Sequence, residues 1–574
     1  MTTRAQMWES LGDEVDVFVI GGGINGAGIA RDASRRGLRV AVVEKDDLAS
    51  GTSSRSSKLV HGGLRYLESY EFSLVFESVS ERRILLDLAP HLVNPLGFLF
   101  PVYKASRKNL SVIKAGMWLY DGLSLFRSPK RHKSYSAKAV RELEPALQHE
   151  GLRGAPLYYD CSTDDARLSL EVALDATHAG AIVLTHAEAT SLIEEEGRVV
   201  GAKLRSRLGG AEKEVRAKVV INATGPWTDR IREMSSADAT KLLRPTKGVH
   251  LVVEREKLPI KNAIVCFHPN DDRVLFAIPW GDRSYVGTTD TDFDGDFDDL
   301  YATREDIDYL LEATAVYFPN HPLTKDDVIA TWAGLRPLID PGAGGHEMPT
   351  TSVTQEGAKE GADKTTKESA ISREHQILVG EDGMITVAGG KLTTFRKMSA
   401  EVVDTAIRVL KLYHGLTQEP GESRSDKAPL PGALGWPEDD DHEKVVARVL
   451  KVAEGVLDEE ISRHLTNTYG VVALQVAGLT VADKSLATPL IEGRPEILAQ
   501  VDWAVHRELA ATVTDVMLRR TQLFYRDLDQ GLPAVSAVAD RMSELLGWTP
   551  EQRERSIQEY REEVARSRRF RQEV

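Results

Sequence analysis

The 574-residue chain contains only two cysteines, Cys161 and Cys266, and neither belongs to a CxxC or Cys/His cluster. A disulfide framework and a zinc site are therefore both unsupported, no metal is expected, and a reducing compartment fits best. No run of 18 or more apolar residues occurs, so the chain is not expected to span a membrane. The N-terminal segment carries acids ahead of its first apolar run and lacks the hydrophobic stretch of an export signal. Positive charge is in deficit as well. The formal net charge of −15 opposes non-specific binding to nucleic acid or anionic lipid over the whole surface, leaving only a local basic patch to do either. Hydrophobic residues at 42% and charged residues at 28% exclude a disordered or fibrous chain, and the length exceeds what one hydrophobic core supports, so two or more domains are expected.

What is present near the N-terminus reads as strand, glycine turn, helix, strand: VDVFVI, GGGING, AGIARDASRRG and LRVAVVEK. Gly21, Gly23 and Gly26 have the spacing that dinucleotide binding needs, a tight turn with close backbone approach to a pyrophosphate at a helix N-terminus. Glu44 ends the second strand, where a carboxylate can accept from ribose hydroxyls. A glycine-rich turn without a ligand is the alternative, and the ordered strand, helix, strand and acid argue against it. Two later strands that also run into glycine, in VVINATGPW and ITVAGGKLTT, favour FAD over NAD, because they can return backbone to a flavin after a long insertion.

Between these segments, helices are expected near 74–88, 111–125 and 164–179, and a strand pair turning at 196–198. GVHLVVE, RVLFAIPW and SYVGTTD suggest an antiparallel sheet that could carry substrate. The polar stretch 348–370 reads as a surface loop. Residues 1–416 then form the cofactor and substrate region, with the substrate layer mainly in 95–165 and 235–375. A Pro/Gly/acid-rich linker covers 417–442, and 443–574 reads as a separate helical domain.

The motifs GGGINGAGIARDA, LASGTSSRSSKLVHGGLRYLE, INATGPW, GTTDTD, AGLRPL and AGGKLTTFRK resemble, in order from about residue 15 to 397, those of the FAD-dependent glycerol-3-phosphate dehydrogenases of aerobic type. TYG and DVMLRRT resemble that family's C-terminal domain less distinctively. The resemblance implies an α/β fold, with an FAD-binding Rossmann-like domain of the glutathione-reductase or D-amino-acid-oxidase type, an antiparallel substrate-binding sheet and a C-terminal all-α domain. It implies oxidation of sn-glycerol 3-phosphate to dihydroxyacetone phosphate, with electrons passing through FAD to a membrane quinone, ubiquinone or menaquinone. A homodimer and peripheral attachment to the inner face of the cell membrane are compatible with it.

Such a reaction needs a cationic wall for a phosphate dianion and an acceptor for the hydroxyl proton. By resemblance, Arg65, Arg336 and Lys391 form the wall, Tyr66 donates a further hydrogen bond, and Arg373 is an additional member. Lys391 could also offset negative charge on the reduced flavin. His61 and His250 are both candidates for the base, and an arginine or lysine stabilising the alkoxide is a third route. Ser53, Ser57, Lys58, Gly225, Gly390, Leu392 and Thr393 are expected at the cofactor beside Gly21, Gly23, Gly26 and Glu44.

The segment 109–126 concentrates Val112, Ile113, Met117, Trp118, Leu119, Tyr120, Leu123 and Leu125, and RSPKRHK follows it. Apolar and aromatic residues beside a basic cluster suit a membrane-interface anchor, and a core helix with a basic loop is the alternative. Competing functions are an oxidase that delivers electrons to oxygen, an amine or amino-acid oxidase on the same fold, and a flavin-binding interaction protein without turnover.

Overall fold

The computed structural model describes residues 3–12, 14–63, 71–106, 109–123, 130–236, 239–340, 375–417 and 419–573. Its cofactor-side sheet is built on strand Glu14–Ile20, buried at every position after the first. Strands covered on both faces read as continuous apolar runs, which is why VDVFVI shows no alternation. Val40–Val43 and Glu212–Asn222 pair with it in parallel, one on each side. Ile182–Leu184 extends the first side and Ile385–Gly389 the second, both in parallel, and His375–Val379 closes the edge in antiparallel fashion. Parallel pairing puts the C-terminal ends of segments far apart in sequence on one edge, where a doubly wound sheet binds its ligand. The hairpin Ala187–Glu195 and Arg198–Ser206, turning at Glu196 and Gly197, joins Glu212–Asn222.

Helix Ile24–Arg35 packs between helices Asp165–His178 and Phe395–Tyr413. Gly28 sets that last distance, because a Cβ there would overlap Ser399 Oγ and stand 3.0 Å from the Phe395 ring.

The second sheet is antiparallel along Thr246–Glu254, Arg283–Gly287, Val274–Trp280 and Ala263–Phe267. Val328–Arg336 lies on the other side of Thr246–Glu254, while Asn94–Leu99 and then Leu152–Ser162 continue beyond Ala263–Phe267. Strands from both stretches assigned to the substrate layer, 95–165 and 235–375, thus meet in a single sheet. Helix Arg304–Tyr317 covers one face through Ile307 and Leu310.

The opposite face is covered by the C-terminal helices. Val501, Val516, Phe524 and Tyr560 share a core with Val252, Ile278, Tyr285 and Trp332 of the sheet. Only the first C-terminal helices, His442–Val452, Glu459–Tyr469 and Ala473–Ala482, with the start of Ala499–Arg507, build a cluster of their own. The helical region is therefore less separate than its composition suggests. By length and composition the stretch Glu459–Ala482 could cross a membrane, but it turns at Gly470, and Leu465, Tyr469, Ala473, Val476 and Ala477 pack into the helical cluster. The connector is also held in place: Arg31 donates to the Ser425 and Ala428 carbonyls at 3.1 and 2.5 Å, and Leu430 N–H to Leu88 O at 2.9 Å.

The fit at Gly28 yields a test. Gly28→Ala overpacks the helix pair and is expected to cost about 1–3 kcal/mol in thermal or urea unfolding. Adding Ser399→Ala, which removes the overlapping oxygen, recovers part of that loss; an unchanged Gly28→Ala midpoint would mean the two helices shift apart freely.

Candidate active site

At the end of the first strand Gly21 adopts φ +111°, and a Cβ there would lie 2.6 Å from the Ala223 carbonyl oxygen, so the turn requires glycine. Gly22 N–H donates to Glu44 Oε2 at 2.7 Å and Asp46 N–H to Oε1 at 3.0 Å. Burial raises the Glu44 pKa above the ordinary carboxylate value, Asp46 adds to the rise, and these two backbone donors oppose it. Helix Ile24–Arg35 starts at Gly23 with no side-chain cap and no acid in its first turn. Its N–H groups and the positive end of its dipole are left for an anion, apart from Ile24 N–H, which donates to Ser53 Oγ at 2.9 Å.

A long cleft runs over this turn between Glu44, the hairpin start at Ala187–Ala189, the loop 223–227 and the segment Gly389–Leu392. Pro337 brings the end of strand Val328–Arg336 to the same cleft. Arg336 is anchored there by Asp290 Oδ1 at 2.9 Å, Thr288 Oγ1 at 3.0 Å and Thr289 O at 3.1 Å. Its guanidinium lies across Gly248, where a Cβ would meet Nη2 at 2.6 Å. Gly248 and His250 are two apart on one strand and so share a face, which sets the guanidinium beside the imidazole.

His250 is buried, stacks on Trp332 with ring centroids 4.7 Å apart, and meets Ser57 Oγ at 2.9 Å through Nε2. Nδ1 has no hydrogen-bond partner among the described residues. Burial, then the positive charges of Arg336 and Lys58, push its pKa well below the ordinary histidine value, so the ring is neutral near pH 7.

A sequence model of FAD-dependent oxidoreductases matches residues 16–442, and one of the C-terminal domain of alpha-glycerophosphate oxidase matches residues 423–553. The chain belongs to the FAD-dependent oxidoreductase family. Among curated relatives, the aerobic glycerol-3-phosphate dehydrogenase of Staphylococcus haemolyticus is 36% identical, over 94% of this chain and 92% of its own. The glycerol-3-phosphate dehydrogenase of Mycobacterium leprae is 38% identical, over 98% and 90%. Among solved structures, the glycerol-3-phosphate dehydrogenase from Bacillus halodurans complexed with FAD superposes with a TM-score of 0.78 at 32% identity, covering 99% of both chains.

The cleft fits FAD by its own chemistry: a half-buried carboxylate for the ribose, an uncapped helix N-terminus for the diphosphate, and two further glycine-ended strands alongside. Gly21, Gly23, Glu44, Ser53, Gly225, Gly390, Lys391 and Leu392 all line it. Gly26 sits one turn into the helix, where a Cβ would overlap the Gly21 carbonyl oxygen. Thr393 is buried behind the cleft, with its Oγ1 accepting from His61 N–H at 3.2 Å, and this joins the histidine loop to the 389–394 segment.

Ser57 and Lys58 are placed differently from the expectation. Ser57 serves His250, and Ser56 rather than Ser57 reaches the cleft wall. The Lys58 ammonium is buried and bonded to Asp165 at 2.7 Å and Ser54 O at 3.1 Å, with Trp332 and Tyr525 rings 5.0 and 5.5 Å away. Burial opposes this charge, yet Asp165 carries the lysine pKa above its usual value. Arg65, Tyr66 and Arg373 lie outside the described residues. Sequence reading missed Asp165, Asp290 and Tyr285, whose hydroxyl donates to Ser57 O at 2.9 Å. Their only local signals were an acid at a helix start and the GTTDTD motif.

The neutral His250 makes stability pH-dependent with a definite sign. In the unfolded chain the imidazole takes up a proton below about pH 6.5, whereas the folded chain resists it, so this contribution is complete above pH 6.5 and lost on acidification. His250→Leu is expected to flatten unfolding free energy against pH between 5 and 6.5 by up to ~1.4 kcal/mol per pH unit. An unaltered slope in urea titrations at several pH values would show that His250 protonates as readily folded as unfolded.

Proposed function

We propose that this FAD-dependent oxidoreductase oxidises sn-glycerol 3-phosphate to dihydroxyacetone phosphate and passes the electrons to a membrane quinone. The observation that carries the reading is Arg336 held across Gly248 beside a neutral His250, next in sequence to Pro337 of the cofactor cleft. Full-length similarity to proteins named glycerol-3-phosphate dehydrogenase supports it.

FAD, when bound, supplies the ring that accepts the hydride from C2 of the substrate. The chain's own residues bind the phosphate and manage the hydroxyl proton. Asp290 and Thr288 fix the plane of the Arg336 guanidinium, which suits paired hydrogen bonds to a phosphate. Lys391, at the cleft wall, adds a second positive charge, and Arg65, Tyr66 and Arg373 complete the wall in this reading. His250, neutral near pH 7, is the proton acceptor in this reading, with His61 as the alternative. With Ser57 Oγ accepting from Nε2–H, the imidazole lone pair lies on Nδ1, which is buried and has no hydrogen-bond partner among the described residues.

Anaerobic glycerol 3-phosphate is expected to bleach the flavin absorbance of the purified holoenzyme, whereas glycerol, which lacks the phosphate, does so far more weakly. Arg336→Met raises the KM for glycerol 3-phosphate by about 10- to 100-fold. A flavin that glycerol 3-phosphate leaves oxidised would sink the reading. The C-terminal match to a glycerophosphate oxidase domain makes oxygen the rival electron acceptor. Reoxidation by a soluble quinone analogue, against hydrogen peroxide yield, separates the two.

The membrane part rests on the two helices Phe72–Leu88 and Leu110–Leu123, which pack through Val75, Val79, Ile113, Met117 and Tyr120. They also expose Phe72, Phe76, Val112, Trp118 and Leu119, Trp118 at 65%. His132 packs edge-on against Trp118 at 4.8 Å, and exposed Lys130, Arg131 and Lys133 flank it. One face is thus core and the other suits the inner face of the cell membrane, where a quinone would be met. Replacing these three cations by Gln is expected to weaken binding to anionic vesicles roughly 100-fold, at ~1 kcal/mol per charge. Co-flotation equal to that of the parent protein would remove the anchor.

A further inference from the structure

The loop after Glu44 is tied to the far end of the chain. Asp47, fully buried, accepts from Arg519 Nε at 2.5 Å and from both terminal nitrogens of Arg520, at 2.6 and 2.8 Å. Consecutive residues of an α-helix point about 100° apart. Here Asp515–Arg520 forms a π-helical turn, and both arginines converge on one carboxylate. The same turn reaches the opposite wall of the adenosine end. Asp515 Oδ2 meets His186 Nε2 at 2.9 Å, and Arg519 Nη2 donates to Asp515 Oδ1 at 3.0 Å.

His186 and Asp47 belong to two segments that are themselves zipped together. His186 N–H donates to Asp46 O at 2.6 Å, Ala187 N–H to Glu44 O at 2.8 Å, and Glu44 N–H to Leu184 O at 2.8 Å. Between them these segments supply Glu44, Ser53 and Ala187–Ala189 of the cofactor cleft. Burial works against a charge on His186, but Asp515 carries its pKa above the ordinary histidine value, so the pair strengthens as an ion pair.

We propose that the C-terminal helical region is part of the FAD site at one remove: Arg519 and Arg520 are positioning residues that hold, through Asp47, the loop bearing Glu44 and Ser53, while Asp515 holds the facing wall through His186. None of these five side chains needs to touch FAD. Their loss is felt as slack in the groups that do.

Simple interdomain adhesion is the competing account, and a second contact elsewhere distinguishes it. Ser567, also from the C-terminal region, accepts from Thr331 N–H at 2.9 Å and receives the Thr331 hydroxyl on its carbonyl at 2.8 Å, a contact that includes neither Asp47 nor His186. FAD release from purified full-length holoenzyme, followed by the rise in flavin fluorescence, is measured for Arg520→Lys, Asp47→Asn and Ser567→Ala, together with unfolding midpoints. Arg520→Lys and Asp47→Asn are expected to release FAD at least ~10-fold faster, the size seen when a partner that orients a ligating group is removed. Ser567→Ala keeps release within about twofold even where its midpoint falls as far. If Asp47→Asn or Arg520→Lys does not fold, Arg519→Lys, which gives up only one contact to Asp47, carries the comparison. Parental release rates in the folded arginine and Asp47 variants, or an equal acceleration by Ser567→Ala, would overturn the proposal.

Discussion

The backbone of the turn after the first strand is approached from three sides. A Cβ on Gly21 would press on Ala223 O, one on Gly22 would stand 2.6 Å from Glu44 Cβ, and one on Gly26 would overlap Gly21 O. Because no side chain intervenes, the ends of three parallel strands and the start of one helix come together around one cleft. The remaining architecture can be read as consequences of that crowding. The strand ending at Asn222 must lie next to the first strand, the strand ending at Gly389 next to it, and helix Phe395–Tyr413 must dock closely enough that Gly28 has no room for a methyl group.

Electrostatics on the substrate side follow from a second economy. Lys58, buried, is held by Asp165, and Arg336, partly buried, by Asp290, so both positive charges are fixed in position and disfavour a charge on their neighbour His250. The imidazole feels two cations and has no acid among its own hydrogen-bond partners, so it stays neutral in a wall that attracts anions. A base and an anion-binding group placed side by side usually compromise one another. Here burial and the two cations together lower the basicity of His250 and keep it neutral.

What could be read from the sequence was whatever is local. The Rossmann half declares itself within 30 residues, because turn, helix and acid act on one another at short range. Glycine-ended strands at 219–225 and 385–390 could be read as its later returns for the same reason. The antiparallel layer was visible in the β-rich runs GVHLVVE, RVLFAIPW and SYVGTTD. Partnerships made across the chain left no such mark. Lys58 sits in a Ser-rich run that looks like a phosphate loop, and only the fold reveals Asp165 opposite it, 107 residues on. That the C-terminal helical domain packs on the second sheet left no mark either, since Val516, Phe524 and Tyr560 are apolar whether they face each other or a sheet. DVMLRRT stood out as a family-like motif, but nothing in it names Asp47 as the target of its two arginines.

That target lies 472 residues before Arg519. At synthesis rates of roughly 5–20 residues per second, Asp47 leaves the ribosome about half a minute to a minute and a half ahead of the guanidinium groups that neutralise it. Through that interval the nascent chain already holds the whole glycine turn and its ribose acid, with an unpaired carboxylate among them that favours solvent over burial. Sealing of the first element made is thereby deferred to the last, and a prematurely ended chain keeps the dinucleotide motif in full while its nucleotide loop stays open.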